Sequence, residues 1–258
     1  MEWHYKNGIR REKNSEFLCY LKSSVLSQEA LELLTEIEKL TDIVLFSGVI
    51  RDYALKRQVS VRDVDFTIKS SIEGDVFLQS ALESRAHRIN SFGGYKFSAG
   101  ALVMDMWPID RTWGIMHQQQ KASIENLVKS AFFNFSAVAY SIEHEEFYIH
   151  EAFDGFLKNR EIDIVYEENP NVPLCILNSL YYSDLLKMRL SSRLRDWLLF
   201  HYSQSLSFRD VQVSHWGKVL YDDDMIRRFV QGESNNEERR RMFNYDERPS
   251  GMLQLCLF

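Results

Sequence analysis

Residues 42 to 68 read DIVLFSGVIRDYALKRQVSVRDVDFTI, and they leave few folds open. Ile43 to Phe46 is an apolar run of strand length, Ser47-Gly48 is a turn, and Val49, Ile50, Tyr53 and Ala54 recur at helical spacing. A basic loop then leads to a second strand, Asp63 to Ile68. Side chains alternate faces along a strand, so Asp63 and Asp65 project together while Val64 and Phe66 enter the core. Two carboxylates held side by side suit a hard divalent ion such as Mg²⁺. The turn at Ser47 and Gly48 opens a helix, where backbone N–H groups can hold a phosphate, and Arg51 and Asp52 stay off its apolar stripe. A phosphate cradle beside metal carboxylates makes nucleotidyl transfer the first chemistry to test.

The rest of the chain supplies layers around this unit. Ser27 is a good N-cap for SQEALELLTEIEKL, which places Leu33, Leu34, Ile37 and Leu40 on one helical face, a helix that packs on a sheet. A helical stretch near 75–86 precedes INSFGGYKFSAGALVMDMWPI, two strands with Gly93, Gly94 and Gly100 in the connections. Leu127 to Ala139 is helical or mixed, Glu146 to His150 reads as a strand, and Asp154-Gly155 reads as a turn. Beyond Pro170 and Pro173 the segment starting at Cys175 forms one or two helices rich in Leu, Tyr and Arg. The expected fold class is therefore α+β, a mixed-sheet head over residues 1–160 followed by a mostly helical part over 161–258, the boundary falling within 156–172.

Ala101 to Met106 carries Asp105 alone among apolar neighbours. A lone buried carboxylate is costly unless it is paired or binds a metal, which makes Asp105 a candidate third ligand. Taken by itself, a strand-end Asp facing water before Trp107-Pro108 is the plainer reading. The acidic triplet Asp222 to Asp224 and the run Glu237 to Arg241 read as solvated faces, and His144 and His150 lack the spacing of a metal pair on a helix.

At 258 residues and 45% hydrophobic the chain can bury a substantial core. A net charge of −6 argues against a general basic coating for nucleic acid, and residues 156–258 hold 14 Lys plus Arg against 15 Asp plus Glu. Any nucleic-acid contact is expected to be local. Cys19, Cys175 and Cys256 lie far apart in apolar contexts and are expected to be buried free thiols. No stretch approaches the roughly 18 apolar residues of a membrane span, and a cytoplasmic protein is expected. The oligomeric state is not legible.

The motifs, taken in order, resemble the head and neck of the poly(A) polymerase and CCA-adding class of bacterial tRNA nucleotidyltransferases, within the polymerase β superfamily. That family has a Gly-Gly turn, a Val-Arg-Asp helix and an Asp-x-Asp strand; here the series is Ser47-Gly48-Val49-Ile50-Arg51-Asp52, then Asp63-Val64-Asp65. A later carboxylate and arginine correspond to Asp105 and Arg111, the family's Arg-Arg-Asp-Phe segment falls on Lys129 to Ser136, and its Asp…Gly turn on Asp154-Gly155. The resemblance implies Asp63, Asp65 and Asp105 as Mg²⁺ ligands and catalytic carboxylates. It implies Ser47, Gly48, Arg51, Asp52, Lys129 and Asn134 as nucleotide-binding residues, with Asn134 toward the ribose. It also implies a nucleoside triphosphate as donor and an RNA 3′ end, tRNA included, or another hydroxyl as acceptor. Ser47 replaces the first glycine, and Cys175 and Asn178 stand where base-reading arginines are expected. Those departures keep two rivals in view: a transferase of toxin or defence type that modifies a small molecule or protein, and an inactive relic that binds nucleotide or a partner.

Overall fold

The computed structural model describes residues 4–57, 61, 63–69, 76, 78–80, 87–89 and 93–233. Its centre is an eight-stranded mixed sheet of order β1-β8-β7-β2-β3-β6-β5-β4. The strands are β1 Ile9–Lys13, β2 Ile43–Phe46, β3 Asp63–Ile68, β4 His87–Ile89, β5 Tyr95–Ala99, β6 Leu102–Pro108, β7 Val138–Ser141 and β8 Glu146–His150. Every residue of β2, β3 and β7 is buried, the pattern of strands covered on both faces. The β3–β6 pair is parallel, whereas β2–β3, β2–β7 and β5–β6 are antiparallel.

Helices α1 Ser15–Tyr20, α2 Gln28–Glu38 and α3 Gly48–Ala54 belong to the N-terminal half. Ser27 caps α2 as expected, accepting from Ala30 N at 3.1 Å, and its Oγ donates to Ala99 O at 2.8 Å, which ties the helix start to β5. Leu33, Leu34 and Ile37 are buried, but Leu40 is not: α2 ends before it, and Leu40 lies exposed in the following turn. Of the helix expected over 75–86, Val76 and residues 78–80 are helical and the remainder lies outside the described residues. Short helices α4 Trp113–His117 and α5 Ile124–Lys129 follow β6.

Two expectations need correction. Asp154 and Gly155 do not form a turn; both lie inside α6 Glu151–Asn159, where Tyr5 and Arg10 hydrogen-bond the Asp154 carboxylate. A helix wins because Phe153 and Phe156 bury against the core, outweighing the turn preference of an Asp-Gly pair. Cys175 is a buried free thiol, but Cys19 is exposed, sitting on the outer side of α1 whose buried residue is Phe17. Cys256 and Glu237 to Arg241 lie outside the described residues.

The C-terminal part contains α7 Val172–Leu186, α8 Ser192–His201, α9 Phe208–Trp216 and α10 Asp223–Val230. Helix α7 is apolar around its circumference and is almost wholly buried, so it serves as the spine of this part. Asn171 caps it, and Pro173 stands in its first turn, where no intrahelical N–H is needed. Asp222 caps α10, so one member of the acidic triplet has a structural task while Asp223 and Asp224 stay exposed. The two parts are stitched together by backbone: Val165 N donates to Phe132 O at 2.8 Å, Tyr166 N to Ala131 O at 3.0 Å, and Asn134 N to Asp163 O at 2.9 Å. Strand β9 Glu161–Ile162 pairs in parallel with β10 Arg189–Leu190. Among the described residues no helix is long and apolar enough to cross a membrane.

Candidate active site

Strand register builds the site. Asp65 of β3 lies opposite Asp105 of β6, which lies opposite Lys96 of β5, while Phe46 of β2 flanks Asp65 on the other side. Side chains in register on neighbouring strands share a face, so Asp65, Asp105 and Lys96 stand in one row, with Asp63 two residues along β3 on the same face. All three aspartates are buried, at 6%, 4% and 4% exposure for Asp63, Asp65 and Asp105. Lys96 Nζ donates to Asp105 Oδ2 at 2.8 Å.

The electrostatics of the row are unfavourable to negative charge as it stands. Burial first, then Asp105 and Asp63, push the Asp65 carboxyl well above the ordinary range, with Lys96 and Arg51 opposing. Burial raises Asp105 as well, and Lys96 holds it back. Burial works against the Lys96 ammonium, yet Asp105, Asp65 and Asp63 outweigh it and hold the lysine protonated. Asp65 Oδ2 is buried without a hydrogen-bond partner. A hard, oxygen-only donor set with an orphaned carboxylate oxygen fits Mg²⁺, and Asp63 with Asp65 are the residues that would hold it. The third carboxylate is engaged by Lys96.

Beside the row, β2 ends in a strained turn. Ser47 has φ +57° and ψ −93°, a region in which residues with a Cβ are uncommon, and its buried Oγ has no partner. Its N–H bonds Val138 O at 3.0 Å, which fixes the turn against β7. Gly48 and Asp52 are buried on α3. Arg51 is 1% exposed, with Nε and Nη2 each 3.2 Å from the Asp52 carboxylate and its guanidinium over the rings of Tyr182 and Phe135. Arg57 also reaches Asp52, at 3.0 Å. The guanidinium stays protonated because Asp52 and Tyr182 outweigh its burial, and its Nη1 has no hydrogen-bond partner.

Asn134 begins a 3₁₀ turn, Asn134–Ser136, packed against α3. Its Nδ2 donates to Glu161 O at 2.9 Å, and its Oδ1 is a further orphan, as is Ser136 Oγ. Lys129, half-buried at the end of α5, acts electrostatically on His150 and is not brought to the carboxylate row by any ion pair among the described residues. His150 caps α6 through Nδ1. Asn178 and Cys175 are both buried in α7.

Three participants escaped sequence reasoning. Lys96 sits in a strand whose partner is nine residues away, and only the register shows what it faces. Ser136 is one serine between Phe135 and Ala137. His215, on α9, is buried with an unpartnered Nε2; burial, then the charge of Lys96, push it down to about 4. A separate group, half-buried Asp42 with exposed Glu143 and His144, brings one ligand atom from each residue within 4.8 Å, while Asp42 also accepts from Ser141 Oγ.

No protein-family model and no curated protein matches the chain. Solved structures match it in fold. A CCA-adding enzyme in complex with CTP is similar at a TM-score of 0.59 and 15% identity, over 86% of this chain and 55% of its own. A tRNA nucleotidyltransferase complexed with a primer tRNA and an incoming ATP analog gives 0.53 at 19% identity, over 78% and 59%. The Thermotoga maritima CCA-adding enzyme complexed with tRNA gives 0.52 at 14% identity, over 85% and 59%. The chain thus spans between half and three-fifths of these proteins. The likeness establishes the fold: a nucleotidyltransferase fold resembling that class.

Proposed function

We propose that this chain is a nucleotidyltransferase that moves a nucleoside monophosphate from a nucleoside triphosphate to a hydroxyl acceptor, with an RNA 3′ end, such as that of tRNA, as the first acceptor to test. One observation carries the reading. Buried polar atoms without partners, Ser47 Oγ, Arg51 Nη1, Asp65 Oδ2, Asn134 Oδ1 and Ser136 Oγ, belong to the carboxylate row and to the turn, helix and 3₁₀ segment packed beside it. Groups that cost free energy when unsatisfied are expected where a polar ligand completes them.

In the reaction the acceptor oxygen attacks the α-phosphorus, a P–O bond forms, the α–β P–O bond breaks, and pyrophosphate leaves with the electron pair. The acceptor's proton passes to a carboxylate of the row and then to solvent. Asp63 and Asp65 would hold the metal, and Asp105, next in the row, would take up the acceptor's proton. Mg²⁺, when bound, supplies neutralisation of the phosphate charge and lowers the pKa of the attacking hydroxyl. Ser47 Oγ and the N–H groups after it contact the β- and γ-phosphates, and Arg51 Nη1 adds a charged donor. Asn134 and Ser136 face the sugar, Asp52 holds Arg51 in place, and Lys129 adds positive charge from farther out. The protein's contribution is positioning and charge, as in phosphoryl transfer generally.

A labelled-NTP transfer assay with tRNA, total protein and small hydroxyl acceptors tests this. We expect transfer by the wild type and none by Asp63→Ala/Asp65→Ala; equal labelling by both proteins sinks the reading. The −6 net charge and the buried Cys175 and Asn178 favour, as the second reading, a small-molecule or protein acceptor, which the same screen detects.

A further inference from the structure

Two-ion phosphoryl-transfer sites clamp the attacking and the leaving oxygen between divalent ions that carboxylates help to hold. This row departs from that arrangement at one position. Lys96 stands directly opposite Asp105 and bonds its Oδ2 at 2.8 Å. The lysine side chain is 27% exposed and the aspartate side chain 5%, so the ammonium covers Asp105 from the solvent side. Among the described residues, Asp63, Asp65 and Asp105 do not offer one oxygen each within 4.8 Å of one another; the group that does is Asp42, Glu143 and His144. Asp65 Oδ2 is left without a partner while Asp105 has one.

On the reading of the previous section, we propose that Lys96 takes the place of one divalent ion, so that the site works with a single Mg²⁺ held by Asp63 and Asp65. Three carboxylates, one ammonium and one dication sum to zero charge, so Lys96 lets a single ion balance the row. An ammonium is a compact point charge with three donors, able to bond Asp105 and a phosphate or acceptor oxygen together. His215, which feels the charge of Lys96 and is held neutral at pH 7 chiefly by its burial, adds no competing positive charge.

The test counts ions. Mn²⁺ is titrated into wild type, Lys96→Met and Lys96→Arg, all three carrying Asp42→Asn and Glu143→Gln so that the separate group around His144 holds no ion, with a non-hydrolysable ATP analogue present, and bound ions are counted by electron paramagnetic resonance. We expect one ion per chain for wild type and Lys96→Arg, and two for Lys96→Met, whose transfer rate falls by about 10²–10³-fold, the size of losing one charge-stabilising donor. Two ions in wild type overturn the proposal whether or not Lys96→Met folds, as does a single ion in a folded Lys96→Met. Failure of the transferase reading is distinct: wild type and Asp63→Ala/Asp65→Ala would then bind ion and analogue equally, or not at all.

Discussion

The guanidinium of Arg51 lies 4.9 Å from the ring centroid of Tyr182, so a residue of the helix after the Ser47 turn is clamped to the spine helix of the C-terminal part. The same group is ion-paired with Asp52 and packs over Phe135. Head and helical part therefore share a buried cation.

Removing that cation should loosen the junction. Breaking a buried ion pair costs ~3–5 kcal/mol when the partner is left uncompensated. Asp52 keeps Arg57, so we expect Arg51→Met to cost about 2–3 kcal/mol by urea denaturation, below that range. Arg51→Lys should recover only part of it, because an ammonium cannot both fork onto Asp52 and stack on Tyr182. Unchanged stability in Arg51→Met would show that the clamp does not hold the parts together.

Ser47 is strained and its hydroxyl is buried without a partner. Glycine tolerates a positive φ and has no hydroxyl to desolvate, so Ser47→Gly should stabilise the protein by about 1–2 kcal/mol. If the hydroxyl serves a phosphate, the same variant should bind an ATP analogue several-fold more weakly by calorimetry. A destabilised Ser47→Gly would contradict the strain argument, and unchanged affinity would remove Ser47 Oγ from the site.

Asp65 is raised by burial and by Asp105 and Asp63, so the folded state disfavours its charge at neutral pH. The stability that its protonated form contributes is present at acid pH and lost as pH rises through the folded pKa. Asp65→Asn should therefore melt about 2–4 °C higher in EDTA, the shift that ~1 kcal/mol produces in a chain of this size. Wild type should gain melting temperature on adding Mg²⁺ and the variant should not, since ligand binding stabilises only a site that can hold the ligand. A lower melting point for Asp65→Asn in EDTA would count against the row being under electrostatic strain.

His215 is held down to about 4 by burial, from 6.5 in the unfolded chain. Between those values the unfolded state takes a proton that the folded state refuses, so the stability is full above the unfolded pKa and is lost as pH falls toward 4. Between pH 7.5 and pH 5 this group alone should cost about 2 kcal/mol. Urea titrations at the two pH values should show a loss smaller by that amount in His215→Phe; parallel losses in the two proteins would assign the acid sensitivity elsewhere.

Much of the fold was legible because local signals and tertiary packing agreed. The bounds of β2, β3 and β8 follow from apolar runs between turns, and Ser27 marks the start of α2 because its hydroxyl satisfies an end N–H whatever surrounds it. Where two local preferences competed, packing chose. Asp154-Gly155 became helix because Phe153 and Phe156 had a core to enter, and Leu40 stayed outside because α2 had already ended.

For the candidate site, the chain order alone determined that Asp63 and Asp65 share a face, since alternation is a property of any strand, and that a turn at Ser47 opens a helix. It could not determine that Asp105 of β6 lies opposite Asp65 of β3, that Lys96 covers Asp105, or that Arg51 meets Tyr182 across 131 positions of sequence. Those relations depend on strand register and on how helices settle on a sheet. Both are fixed by the summed burial of many distant side chains, a quantity that no window of sequence contains.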